Sequence, residues 1–216
     1  MELLVVVPHP DDEVFGAGGV LYEAAQRGWR TGLITLTRGD RGKDLGLCTR
    51  EELPRVREEE LRRAAGILRI DHLEVYGYPD QGLGEHPEVA ELLAERFDEL
   101  KPERIVTFPP NGLNRHPDHV ATHRWTAEAL ERYGAPVRLY YYAPPRPYPG
   151  LREGWRPPTH FVPLERATLA VKMRAMAQHR TQALSVLKMM DSAAERLMEE
   201  TFHLVGHRGP ARTGLD

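Results

Sequence analysis

Two short segments of the chain combine imidazoles with carboxylates in a pattern that could hold a divalent metal ion. The first, residues 8–13, places His9 shortly before two adjacent aspartates, and the second, residues 116–119, holds two histidines and an aspartate. A catalytic metal needs about three protein ligands and an open position for water, and two histidines with one carboxylate are a common set. His9, Asp12 and His119 supply that set, and the chemistry would be metal-assisted hydrolysis.

Each segment also has a simpler interpretation. Asp11 and Asp12 could cap the helix that follows them and complement its dipole. Asp118 could cap a later helix in the same way. Capping does not explain His9, which is held between two prolines, and it does not explain the histidines of the second segment. We therefore interpret the two segments together as parts of one site.

The elements around these segments alternate between strand and helix. The continuously apolar run at 3–7 is typical of a strand covered on both faces. Periodicity and turn signals predict further strands at 31–37, 72–76, 104–108 and 137–143, and helices at 13–27, 51–68, 87–100 and 116–133. This order predicts a Rossmann-like, doubly wound α/β fold, with a largely parallel sheet of about five strands and helices on both faces.

The remainder of the chain is less regular. Residues 144–158 are rich in proline and glycine, and we expect an irregular flap or interface segment there. A short edge strand at 160–162 and helices at 164–176 and about 184–198 would follow. Residues 1–216 are expected to form a single domain.

Ligands of doubly wound sheets bind where loops leave the carboxyl ends of the strands. Polar segments follow four predicted strands, so four loops should meet at one edge of the sheet, and the loop at 38–47 is a candidate lid. The glycines at 16–19 do not form a dinucleotide fingerprint, because Leu21 replaces the third glycine and the run lies inside a helix. They are expected to allow close packing of that helix. The chain has no P-loop signature.

Composition limits the class of protein. The 216 residues carry a formal net charge of −3 without a basic block, which argues against a nucleic-acid partner. Neither a leader nor a run long enough to cross a bilayer is found, so we expect a cytoplasmic protein with no membrane partner. Cys48 is the only cysteine, which excludes an intrachain disulfide and leaves histidines and carboxylates as metal ligands.

The motifs PHPDDE at 8–13 and HPDHVATH at 116–123 resemble the signatures of the LmbE/PIG-L family of zinc-dependent N-acetylglucosaminyl deacetylases. The resemblance covers most of the chain in the family's order. It extends to further residues, which are Tyr76 to Asp80, Arg57 with Glu60, and Lys172 with His179 and Gln182. One departure is Asp40, which stands where the family pattern has glutamate.

The resemblance implies a separate role for each of the residues in the two motifs. His9, Asp12 and His119 would bind zinc. Asp11 would be the general base, since the water that zinc acidifies needs a base that is not itself tied to the metal. His116 would act on the oxyanion or on the leaving amine, as a positively charged imidazole near the metal can. The same kinds of ligand also form non-haem iron sites, so Fe²⁺ is the alternative metal.

Other residues are candidates for contacts around the reacting group. The resemblance points to Arg57, Asp80 and Asn114 as binding residues for sugar hydroxyls. A solvated helix face is the competing interpretation of Arg57, and turn formation is that of Asp80 and Asn114. Asp118 would orient an imidazole and fix its tautomer. His179 could share a helix face with Gln182 near the site, or pack in the interior.

The implied partner is a small-molecule amino-sugar conjugate, and no residue selects one such conjugate over another. Two other functions are compatible with the residues. The carboxylate pair, with Arg38 and Arg41 as phosphate ligands, would suit a metal-dependent phosphoesterase, and a protein without catalytic metal could simply bind sugar. The resemblance and the proline-rich stretch at 144–158 also lead us to expect a homo-oligomer.

Overall fold

The structure is a computed structural model that describes residues 1–147, 152–192 and 195–215. Within these residues eight strands form one sheet, and they are β1 (Leu3–Val7), β2 (Thr31–Thr37), β3 (His72–Tyr78), β4 (Arg104–Thr107), β5 (Arg138–Tyr142), β6 (His160–Pro163), β7 (Glu199–Leu204) and β8 (Arg212–Thr213). Their order across the sheet is β3-β2-β1-β4-β5-β7-β6-β8. The pairs among β1 to β5 are all parallel, which confirms the predicted doubly wound arrangement.

Helices cover both faces of the sheet, as predicted. The helices are α1 (Asp12–Gln26), α2 (Leu53–Leu68), α3 (Glu88–Leu100), α4 (Gly112–Arg115), α5 (Pro117–Tyr133), α6 (Arg166–Met176), α7 (Ala183–Ser192) and α8 (Glu195–Met198). Successive side chains of a strand point to opposite faces. Leu3, Val5 and Val7 of β1 therefore pack with α1, α2 and α6, whereas Leu4 and Val6 pack with α3 and α5. In the described part of the chain no helix is both long and apolar enough to span a membrane.

Strand β1 lies at the point where the strand order reverses, with β2 on one side and β4 on the other. Loops that leave the carboxyl ends of two such strands diverge and leave a crevice between them. The segment after β1 contains His9, and the segment after β4 leads through α4 to His116. The two motifs singled out in the sequence therefore meet at this crevice.

The sheet is larger than predicted. The helix predicted at about 184–198 is replaced by α7 and α8, and the chain then forms β7, which pairs antiparallel with both β5 and β6. The predicted strand at 160–162 exists, but it lies between β7 and β8 and not at the edge. In the proline-rich stretch, residues 144–147 and 152–158 form neither helix nor strand, as expected, and 148–151 lie outside the described residues.

A buried glutamate on β7 explains why that strand is hard to recognise. Glu200 is 3% exposed, and its two carboxylate oxygens accept the main-chain N–H groups of Gly19 and Val20, each at 2.8 Å. These donors lie inside α1, where they would ordinarily bond to carbonyls one turn earlier. The Lys172 ammonium donates to the same carboxylate at 2.7 Å. A charged side chain is therefore part of the packing between α1, α6 and β7.

The glycines of α1 serve close packing, as predicted. A Cβ at Gly19 would lie 2.5 Å from Leu164 Cδ2, and one at Gly16 would collide with the ring of Tyr142. Side chains at these positions would therefore separate α1 from the segments that cover it.

The buried ion pair gives a stability prediction. Lys172→Met should lower the free energy of unfolding by ~3–5 kcal/mol, because the Glu200 carboxylate would remain buried without its cation. Denaturant titration of the purified protein measures this change. Arg174→Met on the same helix is the control, since Arg174 is exposed and a surface substitution changes stability by only about 0.5 kcal/mol. Equal losses in the two variants would contradict the prediction.

Candidate active site

A cavity of about 770 Å³ lies at the carboxyl ends of β1 to β4. Its walls come from the loops that follow these four strands, which contribute residues such as His9, Arg41, Asp80 and His116. The predicted convergence of four loops is therefore confirmed. A further wall is formed by Gln182, which precedes α7, and by Ser185 and Lys188 of α7.

His9 is oriented by carboxylates on both of its ring nitrogens. Its Nε2 lies 3.0 Å from Asp118 Oδ2 and 3.3 Å from Asp80 Oδ1. Ionised carboxylates only accept hydrogen bonds, so Nε2 carries a hydrogen. The other nitrogen, Nδ1, lies 3.2 Å from Asp12 Oδ2. In the neutral ring that nitrogen has a lone pair, which points at the Asp12 carboxylate.

His119 has the complementary arrangement. Its Nδ1 lies 3.0 Å from the carbonyl oxygen of Gly112, which can only accept, so Nδ1 carries the hydrogen of the neutral ring. Its Nε2 then presents a lone pair to Asp12 Oδ1 at 3.5 Å. The ring of Phe108 stacks on His119 with centroids 3.9 Å apart and fixes its plane.

These contacts bring two imidazole nitrogens and a carboxylate together, an arrangement that a bound cation would stabilise. The donor set fits a divalent ion such as zinc, with the remaining nitrogen of each imidazole held by a protein acceptor. Burial disfavours protonation of His9, but its hydrogen bonds to Asp118, Asp12 and Asp80 outweigh burial and raise its pKa well above the usual value. Burial opposes ionisation of Asp12, yet His119 and His9 lower its pKa.

Other groupings of the same side chains are also close. Ligand atoms of His9, His116 and His119 lie within 4.8 Å of one another, as do those of His9, Asp80, His116 and Asp118. Asp80 and Asp118 face the hydrogen-bearing nitrogen of His9, which suits outer partners of a ligand better than ligands. Asp12 faces both lone pairs, so it remains our predicted third ligand.

Asp11 lies beside this group but makes different contacts. Its φ of 122° is in a region that non-glycine residues rarely adopt. Its side chain does not cap α1, so the capping interpretation of Asp11 is wrong. Arg57 Nη2 lies 3.5 Å from Asp11 Oδ2. Burial raises the pKa of Asp11 to about 6, and the charge of Arg57 opposes that rise. A carboxyl group with this pKa suits a base that works near neutral pH.

The backbone of Asp11 is held by Glu13, a residue that the sequence pattern marks only as a first-turn helix acid. Glu13 is fully buried, and its Oε2 accepts the main-chain N–H of Asp11 at 2.9 Å. Its Oε1 lies 2.8 Å from His179 Nε2. Burial disfavours a charge on His179, but Glu13 outweighs this and raises the His179 pKa. His179 is thus an interior residue that supports Glu13, and Glu13 in turn supports Asp11.

Arg57 is not on a solvated helix face, so that interpretation is wrong. It is 3% exposed and donates to the carbonyls of Pro10 at 2.5 Å and Gly39 at 2.8 Å. The guanidinium therefore ties the loop after β1 to the loop after β2 and borders the cavity above Asp11. A contact with a sugar hydroxyl remains a prediction.

Asp80 is buried and links two loops to His9. Its Oδ1 faces His9 and its Oδ2 accepts the Arg41 N–H at 3.0 Å, while its own N–H donates to Asp40 Oδ1 at 3.0 Å. Burial opposes ionisation of Asp80, yet the hydrogen bond with His9 lowers its pKa. Both of its oxygens are thus engaged with the protein, and sugar binding by Asp80 stays a prediction.

Asp118 and Asn114 take different positions around His116. Asp118 is fully buried; its oxygens accept the N–H groups of Gln81 and Leu83 and face His9. The N-cap of α5 is His116, whose Nδ1 accepts the Asp118 N–H at 3.3 Å, so the interpretation of Asp118 as the cap of this helix is wrong.

Asn114 is exposed, and its Oδ1 accepts the His116 N–H at 3.0 Å, which is the turn-forming role. It also borders the cavity, and a sugar contact stays a prediction.

His116 lies against both histidines of the group. Its ring centroid is 4.8 Å from that of His9 and 4.9 Å from that of His119. Burial, followed by the electrostatic effect of the neighbouring His9 and His119 side chains, lowers its pKa. The role of His116 on the oxyanion or on the leaving amine stays a prediction. Because Nδ1 accepts a main-chain hydrogen bond, the hydrogen of the neutral ring is on Nε2.

Comparison with known proteins shows which family this chain resembles. Residues 4–130 match the sequence profile of PIG-L, described as GlcNAc-PI de-N-acetylase. The chain is 38% identical over 146 residues to the probable N-acetyl-alpha-D-glucosaminyl L-malate deacetylase 2 of Bacillus anthracis, covering 65% of this chain and 64% of that protein. It is 33% identical over 164 residues to the 1D-myo-inositol 2-acetamido-2-deoxy-alpha-D-glucopyranoside deacetylase of Mycobacterium sp. (strain KMS), covering 65% and 53%. The matches thus span less than two thirds of these relatives.

Solved structures extend the similarity to nearly the whole chain. The conserved protein TT1542 from Thermus thermophilus superposes with a TM-score of 0.78 at 28% identity, covering 97% of this chain and all of that one. The N,N'-diacetylchitobiose deacetylase from Pyrococcus horikoshii shares the fold, with a TM-score of 0.76 at 20% identity over 94% of this chain and 83% of that one. The profile match covers more than half of the residues of this chain, and the chain therefore belongs to the PIG-L family.

Proposed function

We propose that this protein is a zinc-dependent hydrolase that removes the N-acetyl group from an N-acetylglucosaminyl conjugate and releases acetate and an amine. The observation that carries the proposal is the arrangement of His9 and His119, whose lone pairs face the Asp12 carboxylate, with Asp11 beside them. The names of the curated relatives support the choice of an amide in an amino sugar as substrate.

In this mechanism His9, Asp12 and His119 would hold the metal. When bound, zinc lowers the pKa of a water molecule to about 7 and polarises the substrate carbonyl. Asp11 accepts the proton that the attacking water loses. Its carboxylate is held for this task by Arg57 on the side chain and by Glu13 on the main chain.

His116 acts on the other side of the reaction. Its Nε2–H donates a hydrogen bond to the oxygen that becomes negatively charged as the amide carbonyl turns tetrahedral. The nitrogen of the amide must gain a proton before it leaves as an amine. We assign this proton transfer to Asp11, which has taken a proton from water, and the stabilisation of the charged oxygen to His116.

The substrate class and the surroundings of the enzyme belong to the same proposal. We propose a small amino-sugar conjugate as substrate, with Fe²⁺ as the alternative metal, and a homo-oligomer in the cytoplasm. The phosphoesterase alternative is disfavoured, because Arg38 is paired with Glu58 at 2.7 Å. Of the two arginines it requires, only Arg41 borders the cavity.

An assay of substrates tests the proposal. Purified protein loaded with zinc is incubated with free N-acetylglucosamine, with its malate and inositol conjugates, and with a phosphate monoester. Acetate and free amine should appear in equal amounts from at least one of the acetylated sugars. Release of phosphate without acetate would favour the phosphoesterase, and no reaction with any of the compounds would favour a sugar-binding protein.

A further inference from the structure

We propose that Leu113 closes the part of the cavity that receives the acyl group, and that it restricts the enzyme to short acyl chains by shutting off a second, apolar cavity behind it. This inference rests on the proposed function, because an acyl group is present only if the substrate is an amide. It goes beyond that function by assigning the residue that limits the length of the acyl chain.

Two cavities of very different size share one wall. Leu113 and Tyr142, here called the shared wall, border the cavity of about 770 Å³ and also border a second cavity. The second cavity has a volume of about 10 Å³, which is room for about one water molecule. Its other walls are largely apolar and come from Pro109, Asn111, Pro144, Pro147, Trp155 and Arg156. The proline-rich stretch, which the proposed mechanism does not use, thus supplies much of the second cavity.

The shared wall lies beside the predicted metal ligand His119. The ring of Phe108 stacks on His119 with centroids 3.9 Å apart, and the ring of Tyr142 packs edge-on against Phe108 with centroids 5.1 Å apart. Leu113 follows Gly112, whose carbonyl oxygen lies 3.0 Å from His119 Nδ1. The amide carbonyl of the substrate must lie at the metal group to react, and the alkyl part of the acyl group is bonded directly to that carbonyl. The shared wall is therefore within reach of the alkyl part.

Other sides of the metal group are polar. Asp11 and Arg57 lie together on one side, and Asp80 faces His9 on another. An alkyl chain directed at these groups would displace their water without offering a hydrogen bond in return. The alkyl part is therefore directed toward the shared wall, and the sugar hydroxyls toward the polar sides.

The backbone of Leu113 is strained, which indicates that the bulk of its side chain serves a purpose. Its φ of 66° and ψ of −54° lie near a γ-turn conformation that bulky residues rarely adopt, whereas glycine accepts positive φ readily. Asn111 holds this conformation, since its Oδ1 accepts the Leu113 N–H at 3.1 Å. Strained backbone of this kind is concentrated at sites that bind ligands.

The far wall of the second cavity is bonded to the loop that carries Leu113. Asn111 Nδ2 donates to the carbonyl oxygen of Glu153 at 3.1 Å. Trp155 Nε1 donates to the carbonyl oxygen of Pro144 at 3.0 Å, which joins the two described parts of the proline-rich stretch. The second cavity thus has a defined outer wall, and shortening Leu113 would make it continuous with the larger cavity.

The test is a series of acyl groups on one amino sugar. The N-acetyl, N-propionyl and N-butyryl forms of the sugar that releases most acetate in the preceding assay are given to the zinc-loaded protein, and the free amine is measured. The reaction is the same hydrolysis, in which the C–N bond breaks and water supplies the atoms that complete the alkanoate and the amine. The wild type should show a kcat/KM for the butyryl compound at least about 100-fold below that for the acetyl compound, since one misfitting methylene costs roughly 10- to 200-fold.

Leu113→Ala should lower the ratio of the acetyl to the butyryl kcat/KM by about tenfold or more, because it removes the carbon atoms that occupy the path of the longer chain. Leu113→Gly should have the same effect, and it suits the positive φ of this position, so it tests the inference if the alanine variant does not fold. Leu100→Ala at the end of α3 is the matched control. Leu100 is partly buried in the apolar cluster on the opposite face of the sheet and is not among the described residues that border the two cavities.

A wild-type ratio near one, or an unchanged ratio in the variants of Leu113, would overturn the inference while leaving the deacetylase intact. An equal fall of the ratio in Leu100→Ala would also overturn it, because a general loosening of the fold would then account for the change. No amine from any compound of the series would instead overturn the proposed function itself.

Discussion

Asp11→Asn should lower kcat by roughly 10²–10⁴-fold, the contribution of a positioned general base, while the protein keeps its metal. Asparagine has nearly the shape of aspartate and tolerates positive φ better than most residues, so the backbone at φ 122° can persist. It cannot accept the proton that the attacking water must lose. The variant should therefore fail in the chemical step and not in folding or metal binding.

Acetate release and elemental analysis on the same preparation measure this effect. Asp98→Asn, on the exposed face of α3, is the control for the same chemical change at a distance from the cavity. Turnover of Asp11→Asn within tenfold of the wild type, with metal bound, would show that another group takes the proton.

The second large effect is expected from the predicted metal ligands. His119→Ala removes a lone pair that faces Asp12 at 3.5 Å, and Asp12→Ala removes the carboxylate that both imidazoles face. Each variant should lose metal affinity by more than about 100-fold, the upper end of what outer partners of a ligand contribute, and acetate release should fall with it. His123→Ala is the control, since His123 lies one helical turn from His119 and bonds to the Phe108 carbonyl.

His116→Ala distinguishes this assignment from the alternative in which His116 replaces Asp12 as a ligand. Ligand atoms of His9, His116 and His119 lie within 4.8 Å of one another. In the grouping with Asp12, His9 and His119 face the carboxylate at 3.2 and 3.5 Å. We expect His116→Ala to keep its zinc, measured by competition with a chromogenic chelator, and to lose turnover. Loss of zinc in His116→Ala with retention in Asp12→Ala would reverse the assignment.

The parts of the fold that follow periodic patterns could be predicted. The run Leu3–Val7 is apolar throughout because helices cover both of its faces, and the alternation of strands and helices indicates the parallel order. The sequence pattern did not predict strand β7, because Glu200 is buried among main-chain N–H donors and the Lys172 ammonium. A charge at an interior position interrupts the alternation of apolar and polar residues by which a strand is recognised.

Residues of the two motifs could be assigned to one site by prediction, whereas their contacts with residues outside the motifs could not. His9 and Asp12 are three residues apart and belong to one motif. The pattern around Glu13 indicates a first-turn helix acid, but His179, more than 160 residues away, pairs with it in the interior. The lowered pKa of His116 depends on its burial and on the side chains of His9 and His119, which only the folded arrangement brings together.

The candidate lid is another case that required the structure. A polar, glycine-rich loop is often mobile, and the sequence at 38–47 fits that description. In the structure its main chain is bonded by Arg57 at Gly39, by Asp80 at Arg41 and by Gln182 at Lys43. In this conformation the loop is a fastened wall of the cavity.

The most direct test of the account is acetate release by the wild-type protein before and after removal of its metal. The purified protein should contain one equivalent of metal, should stop releasing acetate from an N-acetylglucosaminide when a chelator strips that metal, and should recover when one equivalent of zinc is returned. Undiminished acetate release by the stripped protein would contradict the account, as would a purified chain that neither contains nor binds a divalent metal.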